Sequence, residues 1–276
     1  VVRKAKPSST AQNVALARAH LTWLGVLDDR LAAPMLRPLW AWTDRALRVP
    51  VVSGLGRSRT FAWLAARTRF FDDAVTDALD AGVRQVVVMA AGYDSRAWRL
   101  ARPGVTFYEV DHPATQRDKR RRAPEGGPRY VPVEFGTDSL ADALIAAGYR
   151  IDEPGVFTVE GVTMYLTEPQ VRDLLTTLRG LGADGSRLAV NFGLGVEAAD
   201  SAASRMGARA AHLHFLASGE HITYRPSIPL AEAVLADAGW TAGPALTAPE
   251  LVRRYVTGTC LPTTDIKPTA FALSAT

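Results

Sequence analysis

The residues best placed to do chemistry gather at the ends of three short apolar runs. The first run, Val86-Val87-Val88-Met89, closes in Ala90-Ala91-Gly92-Tyr93-Asp94. Small residues at such a turn let a ligand approach the backbone, and the amides that open a following helix face whatever is bound there. The second run, Phe107-Tyr108-Glu109-Val110-Asp111, places carboxylates about twenty residues beyond that glycine, a separation at which acidic groups accept hydrogen bonds from ribose hydroxyls. The third, Phe157-Thr158-Val159-Glu160, delivers a carboxylate where an apolar stretch ends. Glu160 could hold an ammonium or a substrate group, or simply cap a loop. Each feature alone has a bland reading, and the combination points to a nucleoside ligand. A dinucleotide turn needs three glycines for the tight bend, the pyrophosphate and helix packing, and this turn has only Gly92. Tyr93 and Asp94 suit a compact ligand with a polar amino-acid end better than a pyrophosphate, and NAD is the alternative.

The elements that must position these residues follow from periodicity. Short β-branched runs at 85–90, 105–110, 130–133, 156–160 and 187–192 read as strands, and helical stretches near 95–101, 113–123, 138–147 and 168–179 alternate with them. Strict alternation requires right-handed crossovers and a parallel sheet, so the fold class is doubly wound α/β. In such a sheet ligands lie beyond the C-terminal strand ends where the chain order reverses, which is where all three runs terminate. Before the first strand, an amphipathic helix over 10–27, entered through Ser8, Ser9 or Thr10, and a helix from Thr60 to Ala81 ended by Gly82 make a helical cap over 1–82. Pro34 and Pro38 break the stretch between them. The cofactor core spans 83–193, an alanine-rich helical lid 194–228, and the C-terminal part 229–276 adds helices near 229–238 and 248–256, an extended stretch from Trp240 and a strand near 270–274. All are parts of one domain. Trp23, Trp40, Trp42 and Trp63 read mainly as core anchors.

Composition narrows the function classes. The 276 residues are 47% hydrophobic and 22% charged, ordinary values for a folded domain. No window approaches the roughly 18 apolar residues of a membrane span, and Val1–Lys6 lacks an apolar signal core, so a cytoplasmic protein without a membrane partner is expected. Cys260 is the single cysteine, which rules out a disulfide within the chain and a thiolate metal cluster. The net charge of +4 comes from 32 basic against 28 acidic residues, near balance. The run Arg117-Asp118-Lys119-Arg120-Arg121-Arg122 reads as a solvated helix end, and without interleaved aromatics it does not make a nucleic-acid surface.

Five ordered blocks resemble the leucine carboxyl methyltransferase family. They are Ser9-Thr10-Ala11 with Ala17-Arg18-Ala19, then Ala66-Arg67-Thr68-Arg69-Phe70-Phe71-Asp72-Asp73, the turn Ala91 to Leu100, Glu109-Val110-Asp111-His112-Pro113 with Lys119, and Glu160 to Leu166. The likeness covers about residues 7–193. It implies a Rossmann-like sheet of seven strands with the last antiparallel, S-adenosylmethionine as methyl donor, and an O-methyltransferase of the bacterial natural-product type. By the same resemblance Arg67, with Arg69 or Arg18, would pair with the methionyl carboxylate. Gly92 would line the turn with Ala90 and Asp94, Asp111 would hold the ribose, Phe135 and Asp138 would flank the adenine, and Glu160 would approach the ammonium. The family usually has glycine where Ala90 stands, and Glu134-Phe135-Gly136-Thr137-Asp138 departs from its usual Asp-Leu-Arg-Asp-Asp.

Methyl transfer from a sulfonium to an ionised carboxylate needs alignment and desolvation more than a base, so no catalytic acid or base is required. A phenol or alcohol acceptor would need one, for which Tyr165 and His221 are the candidates. Arg205, Arg209, His212, His214, Tyr224 and Arg225 in or near the lid, with Tyr165, could grip an acceptor. His212 and His214 are two apart on a helix and point in different directions, so no metal site is expected. The partner expected is a small-molecule acid, met by a monomer or homodimer, and the acceptor could instead be a hydroxyl. A non-methylating enzyme on the same scaffold and an NAD-dependent dehydrogenase are the other readings.

Overall fold

The computed structural model describes residues 7–49, 55–194 and 223–276. Helix α1 (Ser9–Trp23) begins where Ser8 Oγ accepts the Ala11 N–H at 3.1 Å. Pro38 does not break the next stretch. It occupies the first turn of α2 (Pro38–Leu47), where its missing N–H costs nothing because that group has no intrahelical partner. Helix α3 (Arg59–Asp80) is long, as its periodicity demands, and stops at Gly82 with φ +97°.

The sheet has seven strands among the described residues: β1 (Gln85–Met89), β2 (Thr106–Asp111), β3 (Arg129–Pro132), β4 (Gly155–Val159), β5 (Arg187–Gly193), β6 (Leu246–Thr247) and β7 (Ala270–Ala275). Their spatial order is β3-β2-β1-β4-β5-β7-β6. Strands β1 to β5 pair in parallel, and β7 runs antiparallel to both β5 and β6. The expected doubly wound seven-stranded sheet is therefore present, with α4 (Arg96–Arg99), α5 (Pro113–Arg120), α6 (Leu140–Ala146), α7 (Glu168–Leu181), α8 (Ile228–Asp237) and α9 (Ala248–Val256) between or after the strands. A six-stranded all-parallel dinucleotide sheet has no antiparallel strand inserted beside β5, so the topology disfavours the NAD reading. The short β6 was not legible, because two residues carry no periodicity.

Strands β1 and β4 are buried along their whole length, which explains why they read as continuous apolar runs. One face packs against α6, α7 and α8 through Leu144, Leu175, Leu178 and Val234. The other packs against α3 and α9 through Ala66, Phe70, Leu251 and Val252. Two tryptophan expectations fail: Trp23 and Trp42 are 44% and 67% exposed, whereas Trp240 is buried with Nε1 bonded to Leu175 O. The basic run is not a uniformly solvated face either. Lys119 is fully buried, with Nζ 2.5 Å from Glu109 Oε2. Among the described residues no helix is long and apolar enough to cross a membrane.

Candidate functional site

The chain order reverses between β1 and β4, and the C-terminal ends of β1, β2 and β4 meet there. Leaving β1, the chain turns at Ala90 with φ +48° and at Gly92 with φ +53°. Gly92 is required twice over, since a Cβ there would also lie 2.8 Å from the Ala11 Cβ of α1. Ala90 carries a methyl in a backbone region that disfavours L-residues by roughly 1–2 kcal/mol. Glycine at this position should relieve that strain, offset in part by the entropy it adds to the unfolded chain. Ala90→Gly is accordingly expected to raise the thermal midpoint by about 2–4 °C, read by differential scanning calorimetry.

At the end of β2, Asp111 bridges two backbone amides. Oδ2 accepts the Gly92 N–H and Oδ1 the His112 N–H, both at 2.6 Å. Burial raises the Asp111 carboxyl above its ordinary value, outweighing these two N–H groups. Glu109, two residues earlier, is not a second ribose ligand. It is buried against Lys119, and burial pushes its carboxyl up to about 7 despite that ammonium.

At the end of β4, Glu160 accepts from two guanidiniums: Oε1 lies 2.9 Å from Arg67 Nε and Oε2 lies 2.8 Å from Arg96 Nη2. Burial pushes this carboxyl up, but Arg96 and Arg67 outweigh it and hold Glu160 below the usual range. Arg96 is wholly buried and also meets Asp94 Oδ2 at 2.6 Å and Asp72 Oδ1 at 2.7 Å. Arg99 closes on Asp72 at 2.7 Å, and Arg18 reaches Asp29 at 3.2 Å, Asp94 at 3.7 Å and the Tyr93 carbonyl. The result is an ion network of four arginines and four carboxylates behind the turn. Asp94 and Asp72 stand below their ordinary values, because these arginines overcome the burial that opposes ionisation.

Of the residues singled out from sequence, Arg67, Arg18, Gly92, Ala90, Asp94, Asp111 and Glu160 are thus brought to one edge of the sheet. Arg69 is not, and the expectation for it is corrected. Two positions along a helix rotate a side chain about 200°, and Arg69 bonds the carbonyls of Val26 and Tyr255 instead. Arg18 is spent on the rear of the turn. Phe135 and Asp138 lie in an exposed turn after β3, where Asp138 Oδ2 accepts the Glu134 N–H at 2.8 Å. Tyr165 sits half-buried in a 3-10 turn, Thr163–Tyr165, beyond Glu160. Tyr224 packs edge-on against Phe192 in the hydrophobic core; the ring is 6% exposed and burial raises its phenol. Arg205, Arg209, His212, His214 and His221, and most of the expected lid, lie outside the described residues. Arg96, Arg99, Asp72 and Asp29 were given no role from the sequence. The arginine spacing after Gly92 was the available signal, but its carboxylate partners lie far away in the chain.

Residues 10–179 match the family model described as leucine carboxyl methyltransferase. The chain belongs to that family. A relative in Mycolicibacterium smegmatis is 38% identical over 73% of this chain and 70% of its own length. Another, in a Mycobacterium strain designated JLS, is 40% identical over 66% of this chain and 65% of its own. Both are named as candidate S-adenosyl-L-methionine-dependent methyltransferases. The matched part thus spans about two thirds of the length of these relatives. Among solved structures, a DUF574 family protein from Streptomyces avermitilis superimposes with a TM-score of 0.57 at 18% identity, covering 94% of this chain and 95% of that one. A candidate methyltransferase from Thermobifida fusca gives 0.56 at 15% identity, covering 98% and 94%. These two establish the fold. For a leucine carboxyl methyltransferase family member the cofactor is S-adenosylmethionine, and the site fits it. Asp111 offers a carboxylate at the ribose separation, fixed by the Gly92 N–H, and Arg67 leaves its Nη edge beside Gly161, as its Nε is the atom committed to Glu160.

Proposed function

We propose that this chain transfers the methyl group of S-adenosylmethionine to an oxygen of a small or medium acid, forming a methyl ester. The observation that carries the reading is the convergence of Gly92, Asp111 and the Arg67–Glu160 pair on the ends of β1, β2 and β4. When bound, the cofactor supplies an electrophilic methyl on a sulfonium. The protein's residues supply position and charge. Asp111 takes the ribose hydroxyls, held in place by the Gly92 and His112 amides. Arg67 takes the methionyl carboxylate, oriented by Glu160, whose remaining lone pairs face the ammonium. Phe135 and Asp138 border the adenine, and Tyr165 stands on the acceptor side. An acceptor carboxylate is already ionised at neutral pH, so alignment and exclusion of water are sufficient. The carboxylates of the ion network are all paired with arginines, and His112 Nδ1 accepts the Ala114 N–H at the start of α5.

A hydroxyl acceptor is the second reading, and the chemistry of the product separates the two. The protein is incubated with methyl-tritiated S-adenosylmethionine and a panel of carboxylic acids and phenols, and the products are treated with mild alkali. The expected outcome is volatile methanol, because an ester is saponified and an aryl or alkyl ether is not. Alkali-stable label would establish the ether. Cofactor binding without any transfer across the panel would favour the non-methylating reading.

A further inference from the structure

Asn191 lies near the C-terminal end of β5, beside the loop that carries Glu160, and its side chain is wholly buried. The Gly161 N–H reaches its Oδ1 at 2.7 Å. An amide N–H can only donate, so the carboxamide oxygen must face Gly161 and the NH2 group must face away. The backbone carbonyl of Asn191 accepts the Thr163 hydroxyl at 2.8 Å, which fixes the residue a second time. Nδ2 is buried and has no hydrogen-bond partner. Buried donors in folded proteins are nearly always paired, so one held in place but unpaired beside the loop that follows β4 is a donor in reserve.

Gly161 ties this donor to Arg67. A Cβ on Gly161, whose φ is +68°, would stand 3.4 Å from Arg67 Nη1 and 3.8 Å from Nη2. The Arg67 guanidinium and the Asn191 carboxamide therefore flank one glycine, and the nearby carboxylate, Glu160, is already bonded to two guanidiniums. An unpaired amide donor and a guanidinium edge on either side of this glycine, with the nearby carboxylate already neutralised, leave donor capacity for an incoming anion. Being neutral, the amide adds a directed hydrogen bond without changing the charge of the network.

We propose that Asn191 Nδ2 donates to the methionyl carboxylate of the cofactor, as a second donor beside Arg67. The proposal rests on the cofactor reading above. It is tested by calorimetric titration of wild type, Asn191→Asp and Asn191→Ala with S-adenosylhomocysteine and with 5′-methylthioadenosine, which lacks the amino-acid arm. Aspartate keeps an oxygen for Gly161 and turns a second oxygen toward the ligand, so its dissociation constant for S-adenosylhomocysteine should rise at least about tenfold. That for methylthioadenosine should stay within about twofold. Alanine should show the same split, and either variant suffices provided it retains a cooperative thermal transition. Equal losses for both ligands would mean that Asn191 only shapes the loop, and unchanged S-adenosylhomocysteine binding would remove it from the site; either overturns the proposal. Failure of the wild type to bind S-adenosylhomocysteine would instead overturn the cofactor reading itself.

Discussion

Replacing Asp111 by alanine is expected to raise the dissociation constant for S-adenosylhomocysteine by about 5- to 150-fold, equivalent to roughly 1–3 kcal/mol for hydrogen bonds lost from a buried charged group. Two effects add. In the proposed pose the ribose hydroxyls lose their acceptor, and the Gly92 and His112 amides lose theirs, so the turn after β1 is no longer held. Calorimetric titration measures the first, and the thermal midpoint of the free variant measures the second. The pH dependence carries a sign of its own. Accepting two hydroxyl protons requires an ionised carboxylate, and burial holds the Asp111 pKa above the ordinary value. Wild-type affinity should therefore begin to fall, on acidification, at a higher pH than an ordinary aspartate would give. The alanine variant should lack that component. Affinity within twofold of wild type, with no change in its pH profile, would remove Asp111 from the cofactor site.

Asp111 also shows what the sequence could reveal. A carboxylate at the end of a short apolar run, set about twenty residues beyond a small-residue turn, is a local pattern, because strand, turn and strand fix the geometry between them. Glu160 was legible on the same grounds. Its partners were not: Arg67 comes from α3 and Arg96 from the turn after β1, and nothing local says that both guanidiniums close on one carboxylate. Periodicity placed Arg67 and Arg69 on one helix, and the angle between neighbouring positions then separates them, an inference open to the sequence but outweighed by the family resemblance. Glu109 was misread because a second acidic residue on the same strand looked equivalent to Asp111. Only burial beside Lys119 distinguishes them. Helix α2 is not legible from Pro38 alone, because the same residue type that ends a helix also suits the first turn of one.

The largest expected effect belongs to a residue for which the sequence suggested no role. Arg96 is the hub of the network, with Asp72, Asp94 and Glu160 all within 2.8 Å of its guanidinium nitrogens. Arg96→Met would keep much of its bulk and leave these carboxylates with their remaining partners alone: Arg99 for Asp72, Arg18 at 3.7 Å for Asp94 and Arg67 for Glu160. Removing one partner from a buried ionic cluster costs about 3–5 kcal/mol, so the thermal midpoint should fall by roughly 10 °C in a chain of this size. Lysine should restore only part of the loss, since a point charge cannot bond three carboxylates in the plane that a guanidinium reaches. The folded-state pKa values of Asp72, Asp94 and Glu160 are depressed. Their contribution to stability is thus fully present above the unfolded carboxylate value near 4, and is lost as the pH falls through the depressed ones. The gap between wild type and Arg96→Met should accordingly be widest near neutrality and close on acidification. A midpoint loss of less than about 2 °C at pH 7 would show that the neighbouring arginines suffice without Arg96. The full loss, together with weaker S-adenosylhomocysteine binding, would tie the integrity of the β4 end to the cofactor site, because the same carboxylate that anchors Arg96 also orients Arg67.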